Sequence, residues 1–129
     1  MPKLRIRAPV LPSEDPEAVR AAMLRLFPES DLELVDGHWE GDAPSLDTLH
    51  EQIRRQRILD STRSMLRSGA DDSSIRIRLH KQVAHVGKVS FAEEDALLGF
   101  IELIISDVDP LPFIDLLAPE TVDGEEVSP

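Results

Sequence analysis

The chain has 129 residues, of which 41% are hydrophobic, and its formal net charge is −11 at pH 7. A chain of this length folds as one compact domain and buries roughly two thirds of the surface that the unfolded polypeptide exposes. Cysteine is absent, which excludes disulfides, thiolate metal sites and a cysteine nucleophile. No segment approaches the roughly 18 consecutive apolar residues of a membrane-spanning helix, and the first residues lack the apolar core of a signal peptide. We therefore expect a cytoplasmic protein without a membrane partner.

The charged residues have an unusual composition. Arginine outnumbers lysine 11 to 3, acidic residues number 25, and tyrosine is absent. This pattern favours a protein from a salt-loving, haloarchaeal organism, in which molar salt screens the repulsion between acidic groups over about 3 Å. The alternative is an ordinary acidic protein that needs no salt.

The charge is also distributed unevenly along the chain. Residues 51–90 hold nine basic and four acidic residues, a net charge of +5, so the rest of the chain carries −16. Such asymmetry indicates a site for a polyanion on an otherwise acidic body. The alternative is that these basic residues pair with carboxylates folded beside them.

The first half of the chain predicts a strand, a helix and a hairpin. Residues 3–10 alternate apolar side chains with arginine, which is the period of a half-buried strand. A helix follows, with Ser13 or Asp15 as its N-cap and Pro28 as its stop. Residues 31–42 then predict two short strands joined across an Asp-Gly turn.

A long helical pattern runs from Ser45, the expected N-cap, to Gly69, the expected stop. Its apolar residues step by five between Ile53 and Ile58, which breaks the phase of a straight helix. We expect a kink, or two helices that meet near residues 54–57. Several guanidinium groups would then project from one short corner.

The second half predicts more strands. Residues 74–80 alternate inward apolar with outward basic side chains, and residues 83–91 either pair with them as a hairpin or bend away at Gly87. Residues 97–108 are the most apolar segment, which predicts a central strand. A short helix at 110–119 completes a single α+β domain over residues 1–119, with a mostly antiparallel sheet and helices on one face. The tail, 120–129, lacks core residues and is expected to be mobile.

The sequence resembles the archaeal UPF0201 family of small uncharacterised proteins described as RNA-binding. Four segments, in chain order, carry the resemblance over nearly the whole length: APVLPSEDPEAVRAAMLRLFP, RRQRILDSTRSML, LHKQVAHVGKVSF and LLAPETVDGEEV. The third is the strongest. The resemblance implies a fold like that of ribosomal protein L5 and a homodimer.

If helices cover one face of the sheet, outward arginines of the first strand and of residues 74–80 share the other face, with Lys81 and Lys88 near its end. A planar guanidinium binds phosphate through two parallel hydrogen bonds and stacks on bases. Gln82 could bond base edges or the 2′-hydroxyl. The residues predicted to bind RNA are Arg54, Arg55, Arg57, Arg63, Arg76, Arg78, Lys81, Gln82 and Lys88. Since aromatic residues are few, we expect structured RNA and not a single strand held by stacking.

Other chemistry finds less support. In the segment VGKVSF, Val89 follows Lys88 where a phosphate loop has Ser or Thr, and Gln82 stands in place of the first glycine of that loop. His80 and His85 have no adjacent carboxylate that would complete a metal site, and no serine has the spacing of a hydrolase. We predict no catalytic residue, metal or cofactor. The alternative function is a dimeric protein-interaction or scaffold module, without nucleic acid, that uses an exposed sheet edge.

Overall fold

The computed structural model describes residues 2–92 and 99–119, and the backbone of two short strands in the tail. The strands of the main sheet are β1 Lys3–Pro9, β2 Asp31–Val35, β3 His38–Asp42, β4 Ser74–His80 and β5 Phe100–Ser106. The helices are α1 Pro16–Leu26, α2 Asp47–Arg55, α3 Leu59–Ser68, α4 Lys81–Ala84 and α5 Pro110–Leu117. The tail strands β6 Thr121–Val122 and β7 Glu125–Glu126 pair with each other.

The main sheet has the strand order β2-β3-β1-β5-β4, and every pairing in it is antiparallel. The predicted α+β class with an antiparallel sheet is therefore confirmed. The apolar strand β5 lies inside the sheet, as expected, although β1 is the middle strand. The more specific likeness to ribosomal protein L5 stays a prediction.

The core lies between one face of the sheet and the helices. Alternate strand residues, among them Ile6, Ile77 and Leu103, are at most 2% exposed, because successive side chains of a strand point to opposite faces. Leu49 of α2 and Leu66 of α3 are completely buried against them. The opposite face of the sheet carries most of the charged strand residues, together with Phe100 and Ile104.

Local signals explain where the first elements begin and end. The Asp15 carboxylate accepts a hydrogen bond of 3.1 Å from the Glu17 N–H and caps α1, so Asp15 and not Ser13 is the N-cap. The turn between β2 and β3 places Asp36 at φ 49° and Gly37 at φ 77°. Two consecutive positive φ angles define the tight turn that matches the twist of a hairpin, which confirms the predicted return.

The long helical pattern divides into α2 and α3, as the break between Ile53 and Ile58 predicted. Arg57 adopts φ 58° in the connection, a left-handed conformation that no helix can continue. The N-cap prediction is wrong by one residue, since Leu46 occupies that position. Ser45 still accepts a hydrogen bond of 3.4 Å from the Asp47 N–H.

The segment after β4 combines both predicted alternatives. It first forms the single turn of α4 and bends at Gly87, whose φ is 74°. It then returns beside β4, where the His80 N–H donates to the Ser90 carbonyl at 2.8 Å and the Ala92 N–H donates to the Arg78 carbonyl at 2.9 Å. The prediction of a strand over all of residues 83–91 is therefore wrong for its first half.

The last predictions concern the tail and the membrane. Within residues 120–129 only the four strand residues are described, so the predicted mobility of this tail lies outside the described residues for the most part and stays a prediction. In the described part of the chain, no helix combines the length and apolar character needed to span a bilayer.

Gly69 allows α3 to end directly against β4, and we expect alanine there to be costly. A Cβ atom at this position would lie 1.9 Å from the Arg76 carbonyl oxygen, so the backbone of one element must move. We expect Gly69→Ala to lower the free energy of unfolding by about 2 kcal/mol in chemical denaturation. Gly87→Ala is the control, because its Cβ would meet nothing within 4 Å and only the positive φ is strained, at about 1 kcal/mol. A smaller loss for Gly69→Ala than for the control would contradict this prediction.

Candidate nucleic-acid interface

The exposed face of the sheet carries the predicted row of arginines. The register of the strands shows that they share this face, because Arg5 and Arg76 both pair with Ile104, and Arg7 and Arg78 both pair with Glu102. The geometric part of the prediction is therefore confirmed.

This face does not carry an excess of positive charge, however. It also carries the carboxylates of Asp31, Glu33, Glu40, Asp42 and Glu102. Arg5 lies 3.3 Å from Asp42 and 3.6 Å from Glu40, and Arg7 lies 3.8 Å from Glu40. The alternative prediction, in which arginines pair with neighbouring carboxylates, describes this part of the sheet.

Arg76 and Arg78 differ although they lie on the same strand. Arg78 is within 3.6 Å of Glu102, and its guanidinium lies 5.1 Å from the centre of the Phe100 ring. Arg76 is exposed and makes no ion pair with the described carboxylates. Arg76 is therefore the better placed of the two to meet a ligand.

The expectation that Lys81 lies at the exposed end of a basic surface is wrong. Its side chain is 1% exposed, and its Nζ donates to the Pro9 carbonyl at 2.6 Å and to Glu14 Oε1 at 2.8 Å. The alternation of β4 ends at His80, and the first residue of α4 then turns inward. Lys81 thus joins the end of β1 to the loop before α1 and is not available to RNA.

Three other predicted contacts are partly or wholly engaged within the chain. Arg63 is 16% exposed and donates to Asp115 at 2.7 Å and to the Ala118 carbonyl at 3.2 Å, so it ties α3 to α5. Arg55 pairs with Glu51 at 2.6 Å. Arg54 Nε donates to the imidazole of His50 at 2.9 Å. Burial and the charge of Arg54 lower the pKa of His50, which keeps this acceptor neutral.

Gln56 provides a contact that the sequence did not reveal. Its side-chain Nε2 donates to the Val89 carbonyl at 2.9 Å, and its Oε1 accepts from the Val89 N–H at 2.8 Å. The turn between α2 and α3 is therefore held against the segment that follows α4. The only signal was one amide between arginines at a helix break, and it did not indicate the partner.

The Gln56 contact brings together three predicted residues, which we call the corner surface: Arg57, Gln82 and Lys88. Arg57 follows Gln56 and Lys88 precedes Val89, so the two flank the hydrogen-bonded pair. The Lys88 N–H donates to the Val83 carbonyl at 3.3 Å, which places Lys88 beside the residue after Gln82. All three are exposed, and neither cation makes an ion pair with the described carboxylates.

The profile of a family described as RNA binding matches residues 3–106. The UPF0201 protein of Pyrococcus horikoshii is 40% identical over 129 residues, which cover 95% of this chain and 93% of that protein. The chain belongs to the archaeal UPF0201 family.

Two further UPF0201 relatives extend the comparison. The crystal structure of a UPF0201 protein from Methanococcus jannaschii matches with a TM-score of 0.89 and 33% identity, over 98% of this chain and 99% of that one. The UPF0200/UPF0201 protein of Archaeoglobus fulgidus is 35% identical over 128 residues. That match covers 97% of this chain and 40% of the longer protein.

Metal chemistry is not indicated by the side chains of this UPF0201 fold. In residues 2–92 and 99–119, no group of three or more histidine, aspartate or glutamate side chains is arranged to hold a metal ion.

The contact with Lys81 helps to lower the pKa of Glu14. Burial raises the pKa of this carboxyl, but the hydrogen bonds from Lys81 and from the Leu11 N–H outweigh burial and bring the pKa below its ordinary value of 4.5. A carboxyl with a lowered pKa in the folded state stabilises that state above its unfolded pKa. This stabilisation is lost as the pH falls through the folded pKa.

We expect Glu14→Gln to remove that pH dependence. The wild-type free energy of unfolding should fall below about pH 4.5 more steeply than that of the variant, because only the wild type takes up a proton at Glu14 when it unfolds in this range. At pH 7 the variant should lose about 2 kcal/mol, since Lys81 keeps its burial without a counter-charge while Glu14 itself is 22% exposed. Chemical denaturation from pH 3 to 7, with Lys81→Met to complete a double-mutant cycle, measures both effects. Parallel pH curves for the wild type and Glu14→Gln would contradict it.

Proposed function

We propose that the protein binds structured RNA in the cytoplasm without catalysing a reaction, and that the corner surface is part of the interface. The observation that supports this proposal is the Gln56–Val89 contact, because Arg57 and Lys88 are the sequence neighbours of its two residues, are exposed, and make no ion pair with the described carboxylates. The RNA-binding description of the family supports the choice of ligand.

The chemistry of the corner surface suits an RNA backbone. The guanidinium of Arg57 donates two parallel hydrogen bonds to a phosphate, and the ammonium of Lys88 acts as a point charge. The amide of Gln82 can bond a 2′-hydroxyl or a base edge, which distinguishes RNA from a simple anion. Such contacts follow the shape of a helical backbone.

The burial of aromatic side chains favours structured RNA over an open single strand as the ligand. Trp39 is 8% exposed and its indole N–H donates to the Pro16 carbonyl, while Phe27 is completely buried. Phe100 lies beneath Arg78. No row of exposed aromatic rings is present in the described residues, so bases have no platform on which to stack.

The acidic composition supports a second part of the proposal, a salt-loving haloarchaeal origin. Counterion release makes phosphate binding weaken steeply as salt rises, so binding at molar salt must depend more on hydrogen bonds and shape than on charge. The amide of Gln82 and the paired donors of Arg57 are groups of that kind.

Charge reversal at the corner surface should weaken RNA binding. We expect Arg57→Glu combined with Lys88→Glu to lower the affinity for a hairpin RNA by at least about tenfold at 0.1 M salt. The slope of log affinity against log salt should also become shallower, by roughly 0.9 for each phosphate that the variant no longer neutralises. Fluorescence anisotropy across a salt series measures both quantities.

Arg25→Glu is the matched control for this experiment. Arg25 is exposed at the end of α1 and makes no ion pair with the described carboxylates, so its reversal changes the net charge in the same direction. The proposal requires the corner variant to lose more affinity for each reversed charge than the control. Equal losses would mean that RNA senses only the net charge, which would remove the corner surface from the interface.

The free edge of β2 favours the second candidate, a dimeric interaction module. β2 pairs only with β3 within the described sheet, and its Leu34 and Val35 are 49% and 37% exposed. An open strand edge with apolar side chains can pair with the same edge of another copy. The carboxylates of Asp31 and Glu33 then approach those of the second copy, so high salt should favour the dimer.

Leu34→Lys tests this homodimer. We expect light scattering after size exclusion to show a wild-type dimer at molar salt and a monomeric variant, because the interface would have to bury a charged lysine in place of an apolar leucine. Val86→Lys is the control, since Val86 is 68% exposed and lies outside the sheet. A monomeric wild type at every salt concentration, or a dimeric Leu34→Lys variant, would exclude pairing through β2.

A further inference from the structure

A hollow of about 530 Å³ lies between the C-terminal end of α3 and the outer edge of β4. We call it the edge hollow. Met65, Ser68 and Gly69 form its wall on the helix side, and Arg76 stands on the strand side, with Ala92 also in the lining. None of these residues except Arg76 was predicted to contact a ligand.

The edge hollow exists because β4 is the last strand of the sheet and its outer edge is only partly covered. At one place the Arg76 N–H donates to the Gly69 carbonyl at 2.9 Å, and at another the Ala92 N–H donates to the Arg78 carbonyl at 2.9 Å. The two covering segments diverge between these contacts.

Arg78, which is paired with Glu102, lines the edge hollow, and two further arginines that border it are exposed. Arg76 is exposed, and so is Arg67, which lines a smaller adjoining hollow that shares Ser68. Neither makes an ion pair with the described carboxylates. A phosphate near Ser68 could therefore meet a guanidinium fork from either side.

Asp71 adds a carboxylate to the same lining. Its Oδ1 accepts hydrogen bonds from the Ser73 N–H, the Ser74 N–H and the Ser74 hydroxyl, at 3.1, 2.9 and 2.8 Å. These donors lower the pKa of Asp71, the Ser74 hydroxyl most, so the group stays ionised. Its Oδ2 can accept a hydrogen bond from a ligand.

This combination of charges selects among ligands. A carboxylate beside arginine repels a bare anion such as inorganic phosphate or an acidic peptide. A nucleotide offers both a phosphate for arginine and a hydroxyl or exocyclic amine for a carboxylate. The volume also falls within the range of sites that hold small molecules, and it is too confined for a stacked base pair.

We propose that the edge hollow receives one unpaired nucleotide of the bound RNA, with its phosphate on Arg76 and its 2′-hydroxyl or base amine on Asp71. The flexible thioether of Met65 provides an apolar surface for the base without an aromatic ring. The nucleotide must come from a bulge, a loop or an end, since a base inside a duplex is stacked and cannot enter. This inference rests on the proposed RNA binding and deepens it.

Two hairpin RNAs that differ only by a single unpaired nucleotide in the stem test the inference. We expect the wild type to bind the bulged hairpin about tenfold more tightly by fluorescence anisotropy, which is the order of one base contact. Arg76→Gln removes the phosphate contact and Ser68→Trp fills the hollow, and each should abolish the preference for the bulged hairpin. Arg76→Gln should weaken the fully paired hairpin no more than the control Arg25→Gln does, because both variants remove one positive charge. Both positions are exposed. Thermal unfolding measurements check that each variant folds.

The control variants separate the two proposals. Arg25→Gln, at an exposed position on α1, should keep the preference for the bulge, and Arg57→Glu with Lys88→Glu should weaken both hairpins alike. A wild type that binds both hairpins equally overturns the unpaired nucleotide and leaves the proposed RNA binding intact. A wild type that binds neither overturns both. A preference that survives in Arg76→Gln and Ser68→Trp also overturns the inference, because the nucleotide then lies elsewhere.

A direct measurement uses small probes and the amide signals of Ser68 and Gly69 in NMR spectra. Adenosine 5′-monophosphate should shift these signals, and inorganic phosphate or a short glutamate peptide at the same concentration should not. A response to the peptide or to phosphate that equals the response to the nucleotide would overturn the inference.

Discussion

The hydrogen bonds between the side chain of Gln56 and the backbone of Val89 are the contact on which the proposed interface depends. They satisfy an N–H and a carbonyl of a segment that has no regular partner, and they fix the turn between α2 and α3 beside it. An unpaired buried backbone group costs about as much as a missing hydrogen bond, so the amide holds both segments in one position. Arg57 and Lys88 owe their proximity to this contact.

Most cations between residues 51 and 90 have tasks within the fold: Arg63 ties α3 to α5, and Lys81 joins β1 to the loop before α1. On the sheet, arginines alternate with carboxylates and their charges largely cancel. At the two ends of α3, the cations Arg57, Arg67 and Arg76 make no ion pair with the described carboxylates, although Asp71 lies in the same hollow as Arg76.

The sequence predicted the secondary-structure elements better than it predicted the contact partners of individual side chains. Alternation and apolar runs identified the strands of the main sheet, and the step from Ile53 to Ile58 located the helix break, because these signals depend only on neighbours in the chain. Lys81 was misplaced because its burial depends on Glu14 and Pro9, which are 67 and 72 residues away in sequence. Strand alternation itself directs Lys81 inward after the outward His80, but it does not show that Glu14 and Pro9 supply partners for a buried ammonium.

Gln56 and the edge hollow also depend on segments that are distant in sequence, which local patterns do not predict. A glutamine in a helix connection is compatible with an exposed side chain, and only the returning segment at Val89 supplies its partners. The edge hollow is defined by where two coverings of β4 diverge, which no local pattern encodes. Charge counts therefore could not separate arginines that meet acids from those that do not.

The distance between the two surfaces constrains any RNA that uses both. The corner surface adjoins the beginning of α3 and the edge hollow adjoins its end, and the ten residues of this helix span about 15 Å at 1.5 Å per residue. An RNA whose backbone rests on Arg57 and Lys88 must therefore present its unpaired nucleotide at about this distance from that contact. That requirement favours a folded RNA with a defined bulge over an unbroken duplex, because a duplex offers phosphates at every step but no base that can leave the stack.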